Sequence, residues 1–115
     1  MKKLTLLACL CLASSLAIAG HHVNGTWKLN VDLGGQGGTA TFELMEGDGG
    51  VLTGTYSGVA GNATVSGTVN GAQVEFEFNS QVMGKISYVG TVSGNTMEGS
   101  CDYGGTAGTF KGEKS

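Results

Sequence analysis

Hydrophobic and polar residues alternate with a period of two along nearly all of the chain after residue 24. Such alternation is typical of β-strands that bury one face and expose the other. No part of this region shows the three- and four-residue spacing of an amphipathic helix. The pattern predicts an all-β domain of eight short antiparallel strands, near residues 25–33, 39–45, 51–57, 63–69, 72–79, 85–92, 96–103 and 108–114.

The predicted strands carry large apolar side chains on one face and mainly Thr, Ser, Lys, Asn, Gln or Glu on the other. Asn70-Gly71 is a strong signal for a two-residue hairpin and predicts that Val69 pairs with Ala72, both facing inward. Gly94-Asn95 predicts a second hairpin of the same kind. The strand parity predicts a core of Trp27, Leu29, Val31, Leu33, Ala40, Phe42, Leu44, Leu52, Tyr56, Val65, Val69, Val74, Phe76, Phe78, Ile86, Tyr88, Val92, Met97, Cys101, Tyr103 and Phe110.

Four glycines, Gly54, Gly67, Gly90 and Gly99, have inward parity in the middle of predicted strands. A missing side chain at such a position lets a strand bend sharply and leaves space for bulky neighbours. Strong bending favours a small up-and-down (meander) barrel, although the strand count equally permits a two-sheet sandwich. Because every connection is short enough to be a hairpin, we expect the barrel, whose closure removes exposed strand edges.

The first nineteen residues have the features of a secretory signal peptide. Two lysines precede an apolar run, and Ala17-Ile18-Ala19 forms an A-x-A cleavage site. We therefore predict a cleaved signal over 1–19, a single domain over 20–115, and an exported protein in the periplasm or outside the cell. The strands are shorter than the roughly 9–11 residues needed to span a membrane, and their outer faces carry charges, so no membrane span is expected.

After cleavage the chain would keep four lysines and nine carboxylates, a formal charge of −5, and no arginine. This balance disfavours nucleic acid and anionic lipid as partners. Cys101 would be the one remaining cysteine, with the inward parity of an ordinary buried thiol. The register places no histidine and no carboxylate inside the barrel, so we predict no catalytic residue and do not favour an enzyme.

The stretches "NGTWKLNVDL" in the first predicted strand and "GTFKGEK" in the last resemble the two ends of a calycin, the superfamily of lipocalins, fatty-acid-binding proteins and avidins. Gly25-Thr26-Trp27 matches the lipocalin G-x-W. The resemblance implies that a cationic side chain crosses this Trp and closes one end of the barrel, and Lys114 stands where Arg is usual. "GGVLTGTYSG" also resembles the third avidin strand, whose Tyr, matched by Tyr56, contacts biotin. The remaining avidin tryptophans have no counterpart, so biotin binding is not implied.

The resemblance further implies that a ligand enters at the barrel end away from the Trp. The loops at that end are predicted at 34–38, 58–62, 79–84 and 104–107. We expect a small cavity there for an apolar or aromatic ligand, because inward aromatic rings fill much of a barrel of this size. Two alternatives stay open: a filled barrel that acts through its surface as an inhibitor or protein-interaction domain, and, more weakly, a barrel enzyme. The candidate ligand-binding residues are Tyr56, Tyr88, Gln36, Asn62, Val82 and Met83.

Cleavage after Ala19 would expose the amino-terminal tripeptide Gly20-His21-His22. Its α-amine, two backbone amides and the imidazole of His22 supply four nitrogens in a plane, an arrangement that Cu(II) and Ni(II) prefer. The alternative is a solvated tail whose affinity for these metals is adventitious. A copper or nickel site at this terminus is therefore a hypothesis that requires the processed chain.

Overall fold

The computed structural model describes residues 23–115, so the predicted signal peptide lies outside the described residues. Within residues 23–115, helical structure is limited to a short 3₁₀ turn, Asp48–Gly50, and no helix has the length and apolar character to cross a membrane. The eight strands are β1 Gly25–Asp32, β2 Gly37–Glu46, β3 Val51–Gly58, β4 Gly61–Asn70, β5 Gln73–Ser80, β6 Gly84–Ser93, β7 Thr96–Tyr103 and β8 Thr106–Lys114.

The strands form a closed barrel in which each pairs antiparallel with the next along the chain. Pairing of β1 with β8, from Trp27 opposite Lys114 to Asp32 opposite Thr109, completes the ring. The predicted up-and-down barrel is therefore confirmed, and the sandwich alternative is wrong. Closure gives all eight strands a neighbour on both sides, which removes the two edges of an open sheet.

The hairpin between β4 and β5 corrects one predicted register. Asn70 pairs with Gln73 and Val69 with Val74, so the loop consists of Gly71 and Ala72. The predicted pairing of Val69 with Ala72 is wrong, and Ala72 is exposed. Gly71 has φ 65° at the first central position, where both common two-residue hairpin turns need a positive φ. The prediction shifted this turn by one residue.

Aromatic rings fill the middle of the barrel. Phe42 is fully buried, and its ring centroid lies 5.2 Å from that of Tyr56 and 5.0 Å from those of Phe76 and Tyr88. Phe110 of β8 packs on Tyr88 of β6, with centroids 4.8 Å apart. All but one of the predicted core residues are buried. Leu33, just beyond β1, is partly buried against the core.

The inward glycines mark places where neighbouring strands approach closely. A Cβ on Gly67 would overlap the carbonyl oxygen of Glu75 and the Cα of Phe76, and one on Gly54 would overlap the backbone of β2. At Gly90 the ring of Phe110 also occupies the space. The inward glycines therefore allow neighbouring backbones to approach closely, and at Gly90 the ring of Phe110 fills the vacant space.

The two ends of the barrel differ in how far the strands stay paired. The β2–β3 ladder ends at Thr41 opposite Ser57, and the β4–β5 ladder ends at Ser66 opposite Glu77. The segments 37–40, 61–65 and 78–80 lie beyond these ladder ends, on the side of the loops 33–36, 59–60, 81–83 and 104–105. We call this side the open end, and the opposite side, where β1 begins and β8 finishes, the sealed end.

Candidate functional site

A cavity of about 170 Å³ lies at the open end, beside the point where β2 and β3 part. Its wall is formed by the inward faces of β1 and β2 and by the ends of β3, β6 and β7 with their loops. The lining is mostly apolar, and none of the lining side chains is charged. The lining residues are Val31, Leu33, Gln36, Gly37, Gly38, Thr39, Ala40, Tyr56, Val59, Met83 and Tyr103.

Three of the predicted ligand-binding residues line this cavity: Gln36 from the β1–β2 loop, Tyr56 from β3 and Met83 from the β5–β6 loop. The other three do not line it. Tyr88 lies deeper in the barrel and is fully buried. Asn62 is exposed on the outer face, where it pairs with Ser57. Val82 points into solvent with 77% of its surface exposed, so it does not fold over the core.

The chain's three tyrosines gather beneath the open end. The hydroxyls of Tyr88 and Tyr103 are hydrogen-bonded to each other. The Tyr56 hydroxyl accepts a hydrogen bond from the backbone N–H of Ala60 at 3.2 Å. Burial, followed by the hydrogen bond to Tyr103, raises the pKa of Tyr88 well above its ordinary value. Burial also raises the pKa of Tyr103, so both phenols stay protonated at neutral pH.

Ser80 holds two of the rim loops together. Its hydroxyl donates to the carbonyl oxygen of Ala60 at 2.9 Å and accepts from the N–H groups of Val82 and Met83 at 3.1 and 3.0 Å. These bonds connect the β3–β4 loop to the β5–β6 loop at the place where β4 and β5 have stopped pairing. Val59, in the same β3–β4 loop, is 69% exposed, so the rim presents apolar side chains to solvent.

Trp27 and Lys114 meet at the sealed end. The Trp27 ring is fully buried, and its Nε1–H donates to the carbonyl oxygen of Val23 at 2.8 Å. Lys114 Nζ lies 5.5 Å from the ring centroid and donates to the carbonyl oxygen of Asn24 at 3.0 Å. The stem of Lys114 packs over Gly25, where a Cβ would overlap its Cδ. The three residues of the resemblance thus form one contact that covers this end of the core.

The described residues offer little for metal binding or thiol chemistry. Residues 23–115 contain no group of three or more His, Cys, Asp or Glu side chains that could hold a metal ion. Cys101 is buried, and burial, followed by the charge of Asp102, raises the pKa of its thiol to about 11, so it is a poor nucleophile at neutral pH. The proposed metal ligands Gly20, His21 and His22 lie outside the described residues.

Eight of the eleven lining residues were not among the predicted site residues, and Tyr103 and Val59 are two of them. The sequence carries a signal for Tyr103, because its inward parity at the end of β7 adjoins the predicted 104–107 loop. The signal for Val59 is weaker, since an apolar residue in a glycine-containing turn also fits an ordinary exposed position. In both cases, contact with the cavity depends on how neighbouring loops fold over the barrel mouth.

Comparison with known proteins adds no family to this description. No protein-family model, no curated protein and no solved structure matches the chain. Its function is therefore inferred from the closed barrel, the open-end cavity and the Trp27–Lys114 contact.

Proposed function

We propose that this protein is a calycin-like binding module that holds a small apolar or aromatic molecule in the open-end cavity. The observation that carries the proposal is a mostly apolar cavity at one end of an otherwise filled barrel, with two tyrosines on its wall. Ligand sites in proteins are commonly apolar hollows of this kind with a few placed polar groups. The closed eight-stranded barrel and the Trp27–Lys114 contact at the far end support the calycin comparison.

The size of the cavity restricts the ligand. A cavity of about 150 Å³ accommodates a benzene ring, and this one measures about 170 Å³. Drug-sized ligands occupy roughly 300–1,000 Å³. The aromatic rings of Phe42, Phe78 and Tyr88 fill the barrel below the cavity and prevent a longer molecule from entering. A single ring or a short aliphatic chain is therefore the expected ligand.

A second candidate function is recognition of a protein partner through the rim. It is favoured by the exposure of Val59 and Val82, two apolar side chains in neighbouring loops at the same end. The two functions place the contact differently, because a partner would cover the rim whereas a small ligand would fill the cavity below it. A substitution that fills the cavity without a clash against the rim separates them.

Gly38→Leu is that substitution. Gly38 pairs with Val31 and lines the cavity, and a Cβ added to it would meet Val59 Cγ1 at 3.5 Å, an ordinary contact. Four added carbon atoms would therefore extend into the cavity without a backbone clash. Gly47→Leu is the matched control at the sealed end: Gly47 has φ −109°, and a Cβ there would lie 3.8 Å from its nearest neighbour, the carbonyl oxygen of Val51.

The test is a titration of the wild type and both variants with neutral single-ring compounds: toluene, anisole and acetophenone. Binding is followed by calorimetry and by the amide chemical shifts of residues 37 and 38. We expect saturable binding to the wild type and to Gly47→Leu, and at least a tenfold loss in Gly38→Leu. Absence of binding by every compound, or equal affinity in all three proteins, would refute the proposed site.

A further inference from the structure

Three tyrosines, Tyr56, Tyr88 and Tyr103, lie at or behind the inner wall of the cavity. Tyr56 and Tyr103 line the cavity directly. Tyr88 lies behind them, fully buried and hydrogen-bonded to Tyr103. The oxygen of Tyr56 already accepts the N–H of Ala60. Each hydroxyl has one hydrogen to donate and two lone pairs with which to accept.

The direction of the Tyr88–Tyr103 bond follows from burial. Among the described residues, the Tyr88 hydroxyl forms its hydrogen bond with the Tyr103 hydroxyl. If Tyr88 accepted, its own hydrogen would be buried without an acceptor, which is the costlier arrangement. Tyr88 therefore donates and Tyr103 accepts.

The hydrogens of Tyr103 and Tyr56 remain to be placed. If Tyr103 donates to Tyr56, the Tyr56 hydrogen faces the cavity. If Tyr56 donates to Tyr103 instead, the Tyr103 hydrogen faces the cavity. A bond between these two hydroxyls would use one of the two hydrogens, so in both arrangements one hydroxyl hydrogen stays available to a ligand.

We propose that the ligand presents a neutral hydrogen-bond acceptor, a carbonyl or ether oxygen on a group about the size of one ring, to this donor on Tyr56 or Tyr103. The inference rests on the proposed function and names the chemical class of its ligand. A charged ligand is disfavoured because none of the cavity-lining side chains is charged and burial of an unpaired ion is costly. A ligand without an acceptor would leave the hydroxyl hydrogen unsatisfied.

Acetophenone and α-methylstyrene form a matched pair for the test, because the second replaces C=O with C=CH₂ in nearly the same shape. Hydrophobicity alone favours α-methylstyrene. We expect the wild type to bind acetophenone about tenfold more tightly, the factor for roughly one net hydrogen bond. Calorimetric or chemical-shift titration of the wild type with both compounds measures this preference without any substitution.

Two variants assign the preference to the tyrosines. Tyr56→Phe combined with Tyr103→Phe removes both hydroxyls that can face the cavity and should abolish the preference while retaining α-methylstyrene binding. Tyr88→Phe makes the same chemical change behind the cavity wall and should keep the preference, since one of the two remaining hydroxyls still faces inward. Thermal unfolding of each variant verifies that it is folded.

The outcomes separate this inference from the proposed function. Equal binding of the two compounds to the wild type would overturn the acceptor requirement and leave ligand binding intact. A preference that persists in the folded double variant would overturn its assignment to the tyrosine hydroxyls. Failure of both compounds and of toluene to bind would overturn the proposed function, and the acceptor requirement with it.

Discussion

Replacement of Trp27 tests how the sealed end stabilises the barrel. The Trp27 side chain is fully buried, donates a hydrogen bond to Val23 and lies beneath the ammonium group of Lys114. Burial of an aromatic side chain removes about 200 Å² from water, which at about 25 cal/mol per Å² corresponds to about 5 kcal/mol. The Cβ that alanine retains reduces this value, and the lost hydrogen bond adds about 1 kcal/mol.

Trp27→Ala should therefore lower the free energy of unfolding by about 3–5 kcal/mol, within the range for Trp truncations in cores. Because small domains have only about 5–15 kcal/mol in total, this variant should be close to unfolding at room temperature. Trp27→Phe keeps an apolar ring but cannot donate to Val23, so about 1–2 kcal/mol is expected. Lys114→Met keeps the packed stem and loses the charge over the ring, about 0.5–1 kcal/mol.

Urea unfolding measures all three variants. Far-UV circular dichroism is the suitable signal, because Trp27 is the only tryptophan of the chain and its removal eliminates tryptophan fluorescence. A loss below about 1 kcal/mol for Trp27→Ala would mean that the ring is not buried. Equal losses for the Ala and Phe variants would mean that ring packing contributes little. Acetophenone affinity should be unchanged in Trp27→Phe, since the cavity lies at the other end.

Three further predictions concern the barrel wall, the buried thiol and the rim. Gly67→Ala should cost about 1–3 kcal/mol by thermal unfolding, because its Cβ overlaps the β5 backbone, whereas Gly47→Ala should stay within about 0.5 kcal/mol. Burial raises the Cys101 pKa from 9.0 to about 11. Because the unfolded chain loses this proton at lower pH, the free energy of unfolding should fall between those pH values, and it should fall less in Cys101→Ala. A flat profile would contradict this. Ser80→Ala should cost about 1–3 kcal/mol and speed amide hydrogen exchange at Val82 and Met83; unchanged exchange would show that the rim is held otherwise.

Strand parity explains why most of the fold was predictable from the sequence. A residue's position in the two-residue period fixes which face it occupies, so Phe42 and Phe76 could be assigned to the core without knowledge of their partners. The error at Ala72 shows the limit of this reasoning. Both Asn70-Gly71 and Gly71-Ala72 have glycine available for a tight turn, and the choice depends on which backbone position requires a positive φ.

The candidate site was less predictable because it depends on where strand pairing ends. Loop lengths identified the open end, and inward parity identified Tyr56 as a residue that faces the interior. The β2–β3 ladder ends at Thr41, which leaves room for the cavity. The alternation of apolar and polar residues does not predict where this pairing ends. The bond between Tyr88 and Tyr103 joins residues fifteen positions apart on neighbouring strands, so it follows from pairing register.

The β1–β8 ladder has a kinetic consequence for how this barrel is made. Asn24 and Lys114, which meet at the sealed end, are separated by 90 residues. Hairpins between successive strands need only local contacts, but closure requires the most distant segments of the chain to meet. Until closure, β1 and β8 present unpaired edges to other chains. The interval before closure is therefore when aggregation competes most strongly with folding.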